Sequence, residues 1–172
     1  MQITITKGET DDRVEVLRGD GSRVVTTFPH KGPLPHDLVH FVVESELGVG
    51  GGFWGMVAAG RHPEEIAAIA KAAGHASAKR AGIPDAAIVE IVQAERAVEC
   101  FEADLWDSSE GDAETFRAVL AAACERSFVP APEVSDTAMH RIRARLAEFR
   151  QQWSELARAE SLVLEWREGA MA

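Results

Sequence analysis

Polar and apolar residues alternate at both ends of the chain. Between the ends, apolar residues return every three or four positions. Residues 2–6 (QITIT) place Ile3 and Ile5 on one face, and residues 13–17 repeat the period with Val14 and Val16. A period of two is that of a half-buried strand. Asp20-Gly21 is a hairpin signal, because a positive φ costs glycine little. The β-branched run RVVTTF (23–28) closes the hairpin, so residues 1–28 predict a three-stranded antiparallel meander. PHKGPLP (29–35) ends it, since three prolines and a glycine in seven residues suit neither a sheet ladder nor a helix interior.

The helical periodicity begins at Pro35, which suits a first turn. HDLVHFVVESEL (36–47) predicts a helix with Asp37 at the positive end of its dipole and Gly48 as its C-terminal glycine. GVGGGFWGMVAAG (48–60) reads as a glycine-rich joint carrying a short apolar segment. An Ala-rich helix follows from Pro63 to about Ala81, with Ile66, Ile69 and Ala73 on one face. Ala87, Ile91, Ala94, Val98, Phe101 and Leu105 form an apolar seam over 84–106. DSSEGD (107–112) is a turn with Asp112 as helix cap. Phe116, Leu120 and Cys124 mark the next helix, which ends before Pro130. Ser135 or Asp136 caps the last one, whose stripe of Met139, Ile142, Leu146, Phe149, Trp153 and Leu156 has coiled-coil spacing. That stripe predicts lengthwise packing, with the 84–106 helix as the expected neighbour and a homodimer through the seam as the other use. In SLVLEW (161–166) the period changes back to two, which predicts a fourth strand returning to the sheet; continuation of the last helix is the competing reading. The expected fold is a single α+β domain over 1–172: a small antiparallel sheet from both chain ends and about five helices over 35–160.

Charge narrows the function. The formal net charge is −10, and residues 90–114 hold nine acids against Arg96 alone. Phosphate binding needs Lys and Arg, so nucleic acid and anionic membranes are poor partners. Arg141, Arg143, Arg145 and Arg150 read as a solvated helix face. No apolar run reaches the roughly 20 residues of a membrane helix. MQITITKGETDD lacks the basic start and apolar stretch of a signal peptide. Cys100 and Cys124 form no CxxC pair, so a cytoplasmic protein with two reduced thiols is expected. Cys100 lies among acids that raise a thiol pKa, and Cys124 reads as a core residue. Tyrosine and asparagine are absent, which excludes tyrosine chemistry and N-glycosylation. There is no GxSxG, SxxK or GK[ST] motif.

The candidate chemistry sits in Pro35-His36-Asp37-Leu38-Val39-His40, followed by Glu44. Two imidazoles four apart share a helix face and can chelate one divalent ion, here Zn, Mn, Fe or Ni. Asp37 stands where HExxH metalloproteases carry their base, one methylene short; capping or orienting an imidazole suits it better. Three ligands in a row on one helix reach too far, since their ends lie about 12 Å apart by helix rise. The workable pairs are His36 with His40, or His40 with Glu44. Glu95, Glu99 and Glu102 offer carboxylates from the 84–106 helix, and His30 a third imidazole if the Pro-rich loop folds over. The alternative is a solvated edge with no ion. His62, His75 and His140 have weaker claims, the last two falling opposite apolar stripes. Gly50-Gly51-Gly52-Phe53-Trp54-Gly55 matches GxGxxG in form, but it follows a helix, whereas the dinucleotide fingerprint follows a strand. Its readings are a hinge that swings Phe53 and Trp54 over a pocket as a lid, or a tight turn with both aromatics in the core.

The Pro35 to His40 phrase, with Glu44 and Phe53-Trp54-Gly55 after it, resembles one seen in uncharacterised bacterial proteins, over about residues 29–60. The resemblance implies a bacterial source and carries no activity. Two functional readings follow from the residues: a non-enzymatic binding or assembly module, and a metal-dependent hydrolase using the helical histidine pair with carboxylates.

Overall fold

A computed structural model describes residues 1–30, 32–74, 84–106 and 111–167. Four strands, β1 (Gln2–Thr6), β2 (Asp11–Leu17), β3 (Arg23–Pro29) and β4 (Ser161–Glu165), form one antiparallel sheet in the order β3-β2-β1-β4. The alternation turns Ile3, Ile5, Val14, Val16, Val24 and Leu164 into the core and leaves Leu17, Val25 and Val163 exposed on the other face. The β2–β3 turn closes through Arg18 N–H to Ser22 O at 2.9 Å, with Gly21 at φ 83°. The tail is a strand: Leu164 stands opposite Ile3, so the returned period of two extends the sheet beyond β1.

Among the described residues the helices are α1 (His36–Leu47), α2 (Phe53–Ala58), α3 (Pro63–Gly74), α4 (Val89–Trp106), α5 (Ala113–Arg126) and α6 (Asp136–Glu155). The sixth, beyond the five or so expected, is α2, a six-residue helix inside the stretch that reads as a joint. The stretch before α4 starts with a 3₁₀ turn, Ala86–Ile88, capped by the Asp85 side chain on Ala87 N–H. Gly48 ends α1 in the left-handed conformation (φ 66°, ψ 29°), as its place in the sequence requires. Asp112 and Ser135 cap α5 and α6 with their side chains. The expectations on His75, on residues 75–81 of the Ala-rich helix and on the turn 107–110 lie outside the described residues.

The partner expected for α6 needs correction. Its stripe of Met139, Ile142, Leu146 and Trp153 is buried, but α6 packs on α1, and α4 also packs on α1. A heptad-like stripe shows that a helix has a lengthwise neighbour without naming it. Helix α1 is apolar around most of its circumference, with Leu38, Val39, Phe41, Val42 and Val43 all buried, so it can serve two neighbours. The arginines of α6 fasten the arrangement: Arg141 and Arg145 pair with Glu46 of α1 at 2.8 and 2.6 Å, and Arg143 pairs with Asp104 of α4 at 2.7 Å. Sheet and helices share one core running from Ile3 to Trp166. Among the described residues no helix is long and apolar enough to cross a membrane.

Candidate metal centre

This packing lays the four-residue spacing of α1 against the seven-residue spacing of α4. His36 and His40 lie one turn apart on α1. Glu95 and Glu102 lie two turns apart on α4, within about 20° of the same line. His36 Nε2 and His40 Nε2 stand 3.1 Å apart. Glu95 brings Oε1 to 3.4 Å from His40 Nε2 and Oε2 to 3.8 Å from His36 Nε2. One ligand atom from each of these three residues lies within 4.8 Å of the others. Ligand atoms held roughly 2.1 Å from a tetrahedral ion stand about 3.4 Å apart, so the spacing suits one ion.

The other ring nitrogens are committed. His36 Nδ1 is 2.8 Å from Glu102 Oε1, and His40 Nδ1 is 2.8 Å from Glu44 Oε1. A carboxylate only accepts, so each Nδ1 carries the proton and donates it. Both Nε2 lone pairs then face one another, with the Glu95 carboxylate beside them. Three acceptors surround one point with no donor among them, which demands a cation there. A carboxylate behind each metal-ligating imidazole is the usual device for fixing tautomer and ring orientation.

A proton meets the same demand. Burial pulls the His40 pKa down, but hydrogen bonds and charge from Glu44 and Glu95 outweigh it, raising it to about 10. Glu95 shows the reciprocal: burial raises its pKa, and the His40 hydrogen bond with the His40 and His36 charges brings it below the usual value. Asp37 is buried in the first turn of α1, and burial lifts its carboxyl to about 6 against the pull of His36 and His40. No side-chain cap holds the start of α1, and among the described residues Asp37 makes no side-chain hydrogen bond to either imidazole.

Glu44 is fully buried behind His40, on the side away from the Nε2 cluster. Its Oε1 also accepts Phe53 N–H at 2.9 Å, and its Oε2 accepts Trp54 N–H at 2.9 Å. The glycine run makes room for this. A Cβ on Gly52 would lie 2.6 Å from Glu44 Cδ, and one on Gly55 would lie 1.8 Å from Gly50 O. The stretch that resembles a dinucleotide fingerprint therefore cradles a carboxylate of the protein itself. Phe53 and Trp54 are both buried, and Trp54 Nε1 donates to Asp37 O at 2.9 Å. The Phe53 ring lies 5.7 Å from His40, walling the inner side of the cluster.

The other candidates lie elsewhere. Glu99 turns toward Arg96, 2.8 Å away, and burial followed by the charges of Glu95 and Glu102 raises its pKa. His30 is held by the buried Asp12, with Nδ1 at 3.0 and 3.1 Å from its two oxygens, and its ring stacks on Trp153. His62 and His140 are exposed. Cys100 and Cys124 are free. Burial first, then Glu99, raises the Cys100 pKa; burial lifts that of Cys124 to about 11. The role of Glu102 at Nδ1 of His36 goes beyond the sequence reading, which placed it only in a row of carboxylates. The signal for Glu44 was available: a carboxylate directly after the apolar run Phe41-Val42-Val43 and one turn on from His40, followed by three glycines. The chain matches no protein-family model, no curated protein and no solved structure.

Proposed function

We propose that the protein is a binding module for a divalent transition-metal ion, held by His36 Nε2, His40 Nε2 and Glu95. The observation that carries this reading is the meeting of three acceptor groups at one point, with both Nδ1 protons spent on carboxylates. Imidazole and carboxylate donors suit Zn, Mn, Fe or Ni. Glu44 and Glu102 fix the rings and complete no coordination themselves.

Hydrolysis is the chemistry such a centre favours. Three protein ligands leave at least one position for water, and His36 and Glu102 are partly exposed, which gives water a way in. An ion there lowers the pKa of its water and makes a hydroxide nucleophile near neutral pH. The alternative is an ion that only braces α1 against α4.

The test is metal content of untagged protein by elemental analysis. Wild type is expected to hold one equivalent after exposure to zinc and desalting. His36→Ala, His40→Ala and Glu95→Ala each lose it, and Glu99→Ala keeps it. Equal metal in all five proteins, or none in any, removes the reading.

A further inference from the structure

The way into the centre runs past acids. Side-chain exposure rises from 4% at His40 to 19% at Glu95, 32% at Glu102, 39% at His36 and 49% at Glu99. A molecule approaching from solvent therefore meets Glu99, His36 and Glu102 before it reaches the Nε2 cluster. Among the described residues, the ion pairs to Glu95, Glu99 and Glu102 come from His36, His40 and Arg96 only. Arg96 gives Nη1 to Glu99 at 2.8 Å, and its Nε is buried rather than turned to the mouth. Arg96 balances the charge of Glu99, so the sign of the whole is set by the inner group. A doubly charged cation between neutral imidazoles meets the carboxylates of Glu95, Glu44 and Glu102, so the assembled centre keeps a net negative charge. Sites built for phosphate or carboxylate present arginine, lysine or a row of N–H groups instead. Here the row of N–H groups, at Phe53 and Trp54, is turned inward and consumed by Glu44.

We infer that the exchangeable ligand of this centre is an uncharged or cationic small molecule bearing an amine or amide. It would place a neutral oxygen or nitrogen on the metal and its N–H groups against the partly exposed Glu102, and the mouth rejects phosphate and other anions. This rests on the metal-binding reading above and adds the class of ligand to it. Glu99 acts here through charge alone, because it touches none of the three metal-binding atoms.

The experiment uses the whole chain loaded with Co²⁺, whose visible spectrum reports ligand exchange. Imidazole serves as the neutral probe and inorganic phosphate as the anion. Imidazole is expected to shift the wild-type spectrum, and phosphate to leave it unchanged at the same concentrations. Glu99→Lys reverses a charge at the mouth and should tighten phosphate by about tenfold or more, on the scale of close charge interactions near a protein surface. Glu99→Gln should move phosphate the same way by less. Both variants should keep wild-type affinity for imidazole within about twofold, and each is read at saturating cobalt, because the charge change that favours phosphate also weakens the hold on a cation. Phosphate binding to wild type as tightly as imidazole overturns the inference, as does phosphate affinity unmoved by Glu99→Lys. A protein that takes up no cobalt fails at the earlier step and takes this inference with it, so the two failures look different.

Discussion

Replacing Glu44 by glutamine tests the cradle with the least change of shape. The carboxylate accepts three N–H groups: His40 Nδ1 and Phe53 N on Oε1, and Trp54 N on Oε2, all at 2.8–2.9 Å. Glutamine keeps one acceptor and turns the other oxygen into an NH₂ donor. Facing Oε1's partners, that NH₂ opposes two donors; facing Oε2's partner, it opposes one. The second orientation costs less and still leaves Trp54 N–H and the amide without acceptors in a fully buried place. A lost hydrogen bond to a charged group costs about 1.5–3 kcal/mol, and a stranded buried donor a similar amount. Removing the buried charge offsets part of that, so the expected loss is about 2–4 kcal/mol. In a domain of this size that lowers Tm by roughly 5–15 °C. The assay is urea unfolding of metal-free protein followed by tryptophan fluorescence, with a zinc titration alongside. Zinc affinity should fall about 10- to 100-fold while the stoichiometry stays at one, because the residue behind a ligand has changed and the ligand has not. A variant as stable as wild type refutes the three-donor account. Loss of zinc at saturating concentration would instead make Glu44 itself a ligand.

Gly52→Ala forces a Cβ to 2.6 Å from the Glu44 carboxyl carbon and should cost about 2–4 kcal/mol, whereas Gly50→Ala, with open space around its Cβ, should cost less than about 1; equal losses in paired urea melts would count against the cradle. Metal-free protein should also lose stability with rising pH. The His40 pKa stands above its ordinary 6.5, so its contribution is complete below about pH 6.5 and is lost as pH climbs through about 10. Zinc competes with that proton, so its apparent affinity should climb across the same window, and a pH-independent affinity in calorimetry would contradict this.

Most of the architecture follows from short-range pattern. The alternation of Ile3, Ile5, Val14 and Val16 and the turn at Gly21 suffice for the meander, and the changed period at Leu162 to Trp166 for the edge strand. These signals are local, so neighbouring residues decide them. What the sequence leaves open is non-local. The stripe of α6 is as compatible with α4 as with α1, and only the near-complete apolar girth of α1 makes it the shared neighbour. The carboxylate row of α4 shows three acids within reach, but the crossing of α4 over α1 decides that Glu95 and Glu102 meet the imidazoles, while Glu99 pairs locally with Arg96, three residues before it on the same helix. The glycine run reads as flexible by composition. Its purpose depends on Glu44, eight residues before Gly52, pointing back at it.

A network built only for stability would oppose donors to acceptors, and this one does so everywhere except at its centre. Glu44 faces three donors and Glu102 faces one, yet His36 Nε2, His40 Nε2 and Glu95 face one another. Such a focus is costly without a cation, and glutamine at position 36 can remove the cost. Its amide nitrogen reaches about as far as an imidazole Nε2 and brings a permanent donor into the focus. His36→Gln should therefore leave metal-free protein at least as stable as wild type at high pH, because no proton has to be held there. Its stability should vary less between pH 6.5 and 10 than that of wild type, and it should no longer retain zinc. Urea melts at several pH values and metal analysis on the same preparation give both readouts. If His36→Gln keeps the wild-type slope with pH and still retains zinc, His36 has no part in holding the cation, and the packing of α1 on α4 is all that it serves.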